Sequence, residues 1–142
     1  MIEKIIHNSL ELAIIIRNSF HKEGIEFFTG DDSSQQLGYM NREKDYVIEP
    51  HRHNIIPRAV HLTQEVLFIK SGKVRVDFYD NSQVYLQSKI LLQGDVILLA
   101  DGGHGFKMLE KSEIIEVKQG PYNGERDKVR FEMIADENII LS

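Results

Sequence analysis

Residues 65–80 read EVLFIKSGKVRVDFYD. Two short runs rich in Val, Ile, Phe and Tyr meet at Ser71-Gly72, a turn signal. In the second run Val74, Val76 and Phe78 point one way, and Arg75, Asp77 and Tyr79 point the other. That period of two is the signature of a strand. The same grammar continues outward: VYLQSKILL, DVILLA and IIEVKQ follow, ending at QG, DGGHG and GPYNG. Upstream, EKII and ELAIIIR flank a turn at HNSL; GIEFFT precedes the polar GDDSSQQ, and LGYMN and DYVIEP are two more short runs. A helical reading of NSLELAIIIRNSF is possible, but its Ile run and bracketing Asn residues favour a strand. The tail, KVRFEMIADENIILS, is compatible with one more strand or a short helix. The expected class is all-β, a sandwich or small barrel.

The chain has 142 residues, which predicts a single domain over 1–142. Hydrophobic residues make up 42% and charged residues 27%, a composition that can build a core. The formal net charge is −5, which argues against nucleic acid as the main partner, since phosphate binding needs a concentrated basic face. There is no cysteine, so thiolate metal sites and cysteine nucleophiles are excluded. The opening MIEKIIHNSL does not read as a secretory signal, and no apolar run is long enough for a membrane-spanning helix. The default expectation is a cytoplasmic protein with no membrane partner.

PHRHNIIPRAVHLTQE, residues 50–65, holds three of the six histidines. Pro50 and Pro57 argue against a helix here. In an extended segment His51 and His53 share a face, about 6–7 Å apart, and Arg52 points away. Glu65 opens a strand on the face of Leu67 and Ile69, where an unpaired acid is costly to bury. His104 stands among glycines in DGGHGF. Three imidazoles and one carboxylate would suit one divalent ion: Zn, Fe, Mn or Ni. The plain alternatives stay open: exposed histidines beside a proline, a solvated strand-end acid and a loop histidine. His61 reads as a loop or rim residue. Arg52 and Arg58 flank the segment, with guanidinium forks that suit a carboxylate or phosphate. Glu116 and Lys118 alternate on one face of IIEVKQ, and Phe106 is a candidate pocket wall.

These residues resemble the cupin superfamily, small jelly-roll β-barrels with an internal metal or ligand site. The first cupin motif sets a His-x-His pair before a Glu and closes on a Gly; His51-Arg52-His53, Glu65 and Gly72 stand in that order. The second motif runs from a Gly through a strand to a Pro-x-Gly and a His. Gly94, DVILL, Ala100-Asp101-Gly102 and His104 follow it in outline, with Ala100 in place of the Pro. Eleven residues separate His53 from Glu65, more than the motif carries, and His61 stands at the motif's usual distance; either the His51/His53 pair ligates across a long loop, the preferred reading because only it has the pair, or His61 does. The ending IIEVKQGPYNGERDKVRF is similar to that of the WbuC-type cupins. The resemblance implies a single-domain cupin-type jelly-roll β-barrel, its core roughly 45–131, with extra N-terminal strands. It implies one divalent metal ion at His51, His53, His104 and Glu65. Arg52, Arg58, His61, Phe106, Glu116 and Lys118 then stand near a small oxygen-rich, sugar-derived ligand. A homodimer is expected, as small cupins often form one. Catalysis is left open. The alternatives are a non-catalytic sugar- or metabolite-binding module and a metal-free sugar-nucleotide isomerase.

Overall fold

The computed structural model describes residues 1–142 and is built of antiparallel sheets, with helical geometry confined to two single 3₁₀ turns, Gly124–Asp127 and Asp136–Asn138. The chain divides into two compact units, one comprising Met1–Phe20 with Thr63–Ser142, the other His21–Leu62.

The larger unit begins with a hairpin of β1 (Ile2–His7) and β2 (Leu10–Ile16). Asn8 and Ser9 both take positive φ, 49° and 64°, the backbone of a type I′ turn whose twist matches the strands it joins. The Ile run is therefore strand, as its β-branched side chains favour. Then come β5 (Glu65–Ser71), β6 (Lys73–Tyr79), β7 (Tyr85–Leu92), β8 (Val96–Leu99), β9 (Gly103–Met108) and β10 (Glu113–Lys118). One sheet has the order β1-β2-β8-β5-β10, the other β7-β6-β9. The all-β class expected from the sequence is thus what the chain adopts. No strand pairing closes either sheet on itself.

Consecutive strands β5 and β6 belong to different sheets, and Gly72 alone makes the corner. Its φ is +88°, and a Cβ there would lie 2.3 Å from Ser112 Oγ and 2.4 Å from the Lys111 carbonyl oxygen. Only glycine tolerates both conditions. The corner turns β6 over β5, so the inner faces of the two sheets share one core. Leu12, Ala13, Ile15, Leu67, Ile69, Ile97 and Leu99 come from the first sheet; Val74, Val76, Phe78 and Leu91 come from the second.

The alternation in β6 is present as expected, but both of its faces are buried. Arg75 clamps the fully buried Asp77 through Nε and Nη2, at 2.8 and 3.0 Å. Ser88 Oγ donates to the same carboxylate at 2.5 Å. The chain after residue 130 closes over this face. Phe131 packs edge-on against Tyr79, Ile134 N–H donates to the Tyr79 hydroxyl, and Asp136 accepts from Arg75 Nη1 at 2.9 Å. Ile140 N–H donates to the Tyr85 hydroxyl, and Ser88 N–H to the Ile140 carbonyl. The tail, for which strand and helix both stood open, is an irregular strap with one 3₁₀ turn and a single parallel bridge, Ser88 to Leu141.

The smaller unit contains the hairpin of β3 (Gly24–Phe27) and β4 (Gly38–Asn41), with Phe28 and Leu37 buried. DYVIEP forms no strand. Its two sides carry Tyr46, Val47 and Ile48 in succession, with no alternation to give a half-buried face.

Candidate functional site

In β5 the face that carries Leu67 and Ile69 into the core also carries Glu65, which is only 8% exposed. Its register neighbours are Leu99 on β8 and Lys118 on β10. On the opposite sheet His104 pairs with Phe78 and Phe106 with Val76, so both project with the core side chains of β6. The two sheets thereby bring an acid and an imidazole together: His104 Nε2 lies 3.3 Å from Glu65 Oε2. The carboxylate has only acceptors, so Nε2 carries the proton and, in the neutral ring, Nδ1 keeps its lone pair. Phe106 lies beside this imidazole, with ring centroids 5.5 Å apart.

The hydrogen bond from His104 holds the Glu65 carboxyl below its ordinary value. Burial opposes this, and the ammonium groups of Lys118 and Lys128 assist. Lys118 is itself bound to Glu116, Nζ to Oε1 at 3.1 Å, which favours its charged form. Glu116 is the register partner of Leu67, so Glu116 and Lys118 share the face of Glu65 at the edge of the sheet. Two further bonds fix the entry to β5. Thr63 Oγ1 donates to Asp127 at 2.6 Å, and Gln64 Nε2 donates to the Ala100 carbonyl at 3.3 Å.

Glu65, His104, Phe106, Glu116 and Lys118 all lie in the larger unit. Two differences from the sequence reading stand out here. His104 sits on strand β9, not in a glycine turn, because β6 has a second edge to pair and GHGFKM supplies the partner. Asp127 and Lys128, which influence the site charges, carried no signal beyond the Asp-Lys of the chain ending.

His51, Arg52, His53, Arg58 and His61 lie in the smaller unit, all exposed and outside any strand or helix. The rings of His51 and His53 stand edge to face, 5.4 Å between centroids, as expected for alternate residues of an extended segment. His51 Nδ1 is 2.9 Å from the Glu49 carbonyl oxygen, so Nδ1 is the donor and Nε2 remains an acceptor. Within neither unit do three His, Asp or Glu side chains gather as a set that would hold a metal ion. No family model, curated protein or solved structure matches the chain.

Proposed function

We propose that the chain is a cupin-type jelly roll whose Glu65–His104 pair is the centre of a site for a small oxygen-rich metabolite. The observation that carries this is the 3.3 Å contact between a buried carboxylate and an imidazole contributed by facing sheets. An acid on a core face, held ionised by a specific partner, is a candidate functional group. The sugar-derived class of ligand and a homodimer follow the resemblance to WbuC-type cupins.

A divalent ion of the Zn, Fe, Mn or Ni type fits the donors. Two atoms on one tetrahedral ion with bonds of about 2.0–2.1 Å stand about 3.3–3.4 Å apart, the separation of Glu65 Oε2 and His104 Nε2, so an ion could take this place once it displaces the Nε2 proton that joins them. His51 and His53, in the smaller unit, form a separate pair of imidazoles, in which the neutral His51 ring keeps Nε2 as an acceptor. When bound, the ion would polarise a ligand oxygen as a Lewis acid. The chain's own residues then have separate tasks. Glu65 stays ionised, Phe106 presents an apolar wall, and Lys118 offers a cation at the edge for a ligand carboxylate or phosphate.

Elemental analysis of the whole protein, purified without added metal, tests the reading. We expect close to one equivalent of a divalent transition metal, lost in His104→Ala with Glu65→Ala; His51→Ala with His53→Ala tests whether the two imidazoles that the resemblance adds take part. A metal-free reading is favoured by one observation, that Glu65 and His104 satisfy each other directly. Metal-free protein that binds monosaccharides through Glu65 and His104 would establish that reading in its place, and full metal retention in all these variants would sink the first.

A further inference from the structure

The strap of residues 131–142 contributes nothing to the inter-sheet core, and none of its side chains is fully buried. It nevertheless bonds to β6, β7 and β9 in turn. Of these three strands β9 has the most to gain. It is an edge strand, paired only with β6. Gly103 and Gly105 leave its outer face bare, and glycine weakens a strand. Its inner face carries His104 and Phe106 into the space between the sheets.

Pairing with β6 fixes the register of β9 along the sheet. It leaves the swing of an edge strand about its neighbour variable, since the angle between paired strands ranges widely. That swing is the motion that carries His104 towards or away from Glu65 on the facing sheet. The contact is sensitive to it. His104 Nε2 and Glu65 Oε2 stand 3.3 Å apart, near the long limit of hydrogen bonding.

Two strap contacts oppose the swing from behind. A Cβ on Gly103 would lie 2.9 Å from Phe131 Cζ, so the Phe131 ring fills the place of a side chain at 103. The same ring lies 4.9 Å, centroid to centroid, from that of Tyr79, the register partner of Gly103. Further along the strap, Asp136 binds Lys107 of β9 with one oxygen and Arg75 of β6 with the other. Lys107 and Arg75 are themselves register partners. β9 is thus gripped at 103 and again at 107, with His104 between.

We propose that the strap positions the site: Phe131 against Gly103, and Asp136 on Lys107, clamp β9 from its outer side and hold His104 against Glu65. Phe131 and Asp136 lie across β9 from Glu65 and act through His104, so they are positioning residues. This role rests on the reading of Glu65 and His104 as the centre of the site, and on neither metal nor ligand identity. Partners that orient the ligating groups of a metal site are commonly worth about 10–100-fold in its affinity or activity. Release of the strap should weaken the site by that order.

NMR of the metal-free full chain tests the clamp, read as Overhauser contacts between the His104 ring protons and the Glu65 side chain. These contacts should be present in the unaltered chain and lost in Phe131→Ala. Phe131→Tyr keeps the ring and should retain them. Lys107→Met, at a partly exposed position, cuts the second tie with little risk to the fold and should weaken them. Tyr85→Phe loosens the strap at β7 instead, by removing the acceptor of the Ile140 N–H, and should leave them unchanged. None of these side chains belongs to the inter-sheet core, so strand circular dichroism should match the unaltered chain throughout. Contacts that persist in both Phe131→Ala and Lys107→Met, or that vanish equally in Tyr85→Phe, overturn the strap's role alone. Their absence from the unaltered chain would overturn the site and the clamp together. A protein that holds no metal yet loses the contacts with the clamp would support this inference and sink only the metal.

Discussion

Gly72 and Arg75 show how single residues carry this fold. Gly72→Ala meets both a positive φ and a Cβ within 2.4 Å of backbone, so nothing nearby can yield cheaply. We expect a loss of about 1–3 kcal/mol or more, read as a lower urea midpoint at unchanged slope. Arg75→Met removes the partner of a fully buried Asp77 and leaves its charge uncompensated. The expected cost is about 3–5 kcal/mol; a change under about 1 kcal/mol would mean that Ser88 and its neighbours suffice. Arg75 also illustrates a limit of sequence reading. Its place opposite Val74 and Val76 was legible from alternation, and its burial was not. Burial depends on Asp136, sixty-one positions later. Glu65 was legible as a misplaced acid on an apolar face; that His104 answers it is a consequence of sheet topology and register.

Among the elements, β5, β6, β7, β8 and β10 could be read directly because each is an apolar run closed by a turn signal. β9 was hidden. Its sequence, GHGFKM, is rich in the residues of turns, and only the open edge of β6 makes it a strand. DYVIEP erred the other way: its strand-forming residues lack alternation and stay irregular. The strap after residue 130 had no period at all, since it bonds through scattered contacts to hydroxyls and one carbonyl. Removing residues 131–142 should therefore spare the inter-sheet core and loosen β6 and β7. Hydrogen exchange should accelerate at Ser88, whose amide bonds to Ile140, while β2 and β8 keep their protection. Uniform acceleration across both sheets would mean that the strap supports the whole core.

On the scale of the whole molecule, acid should act through carboxylates tied to cations. Glu3 is held below its ordinary value chiefly by its bond to Arg17, against burial and with help from Lys89; Glu65 is held down by His104. For such groups the unfolded chain binds more protons than the folded one between the two pKa values, so stability rises with pH there. Their contribution is complete above the unfolded value, about 4.3 for Glu, and fades as pH falls through the lower folded values. Melting temperature, in metal-free buffer, should be nearly level from pH 7 to about 5.5 and fall steeply below about 4.5. Glu3→Gln should flatten part of that fall; a melting temperature that rises on acidification would show the sign to be wrong.

The most direct measurement of the central claim is the imidazole NMR spectrum of His104 in the full chain, recorded during titration with Mn(II). A site at the carboxylate–imidazole contact predicts that the His104 ring resonances broaden first, at substoichiometric metal, and that Glu65→Ala abolishes this selectivity. Broadening confined to His7 and His21, with His104 untouched at one equivalent, would contradict it.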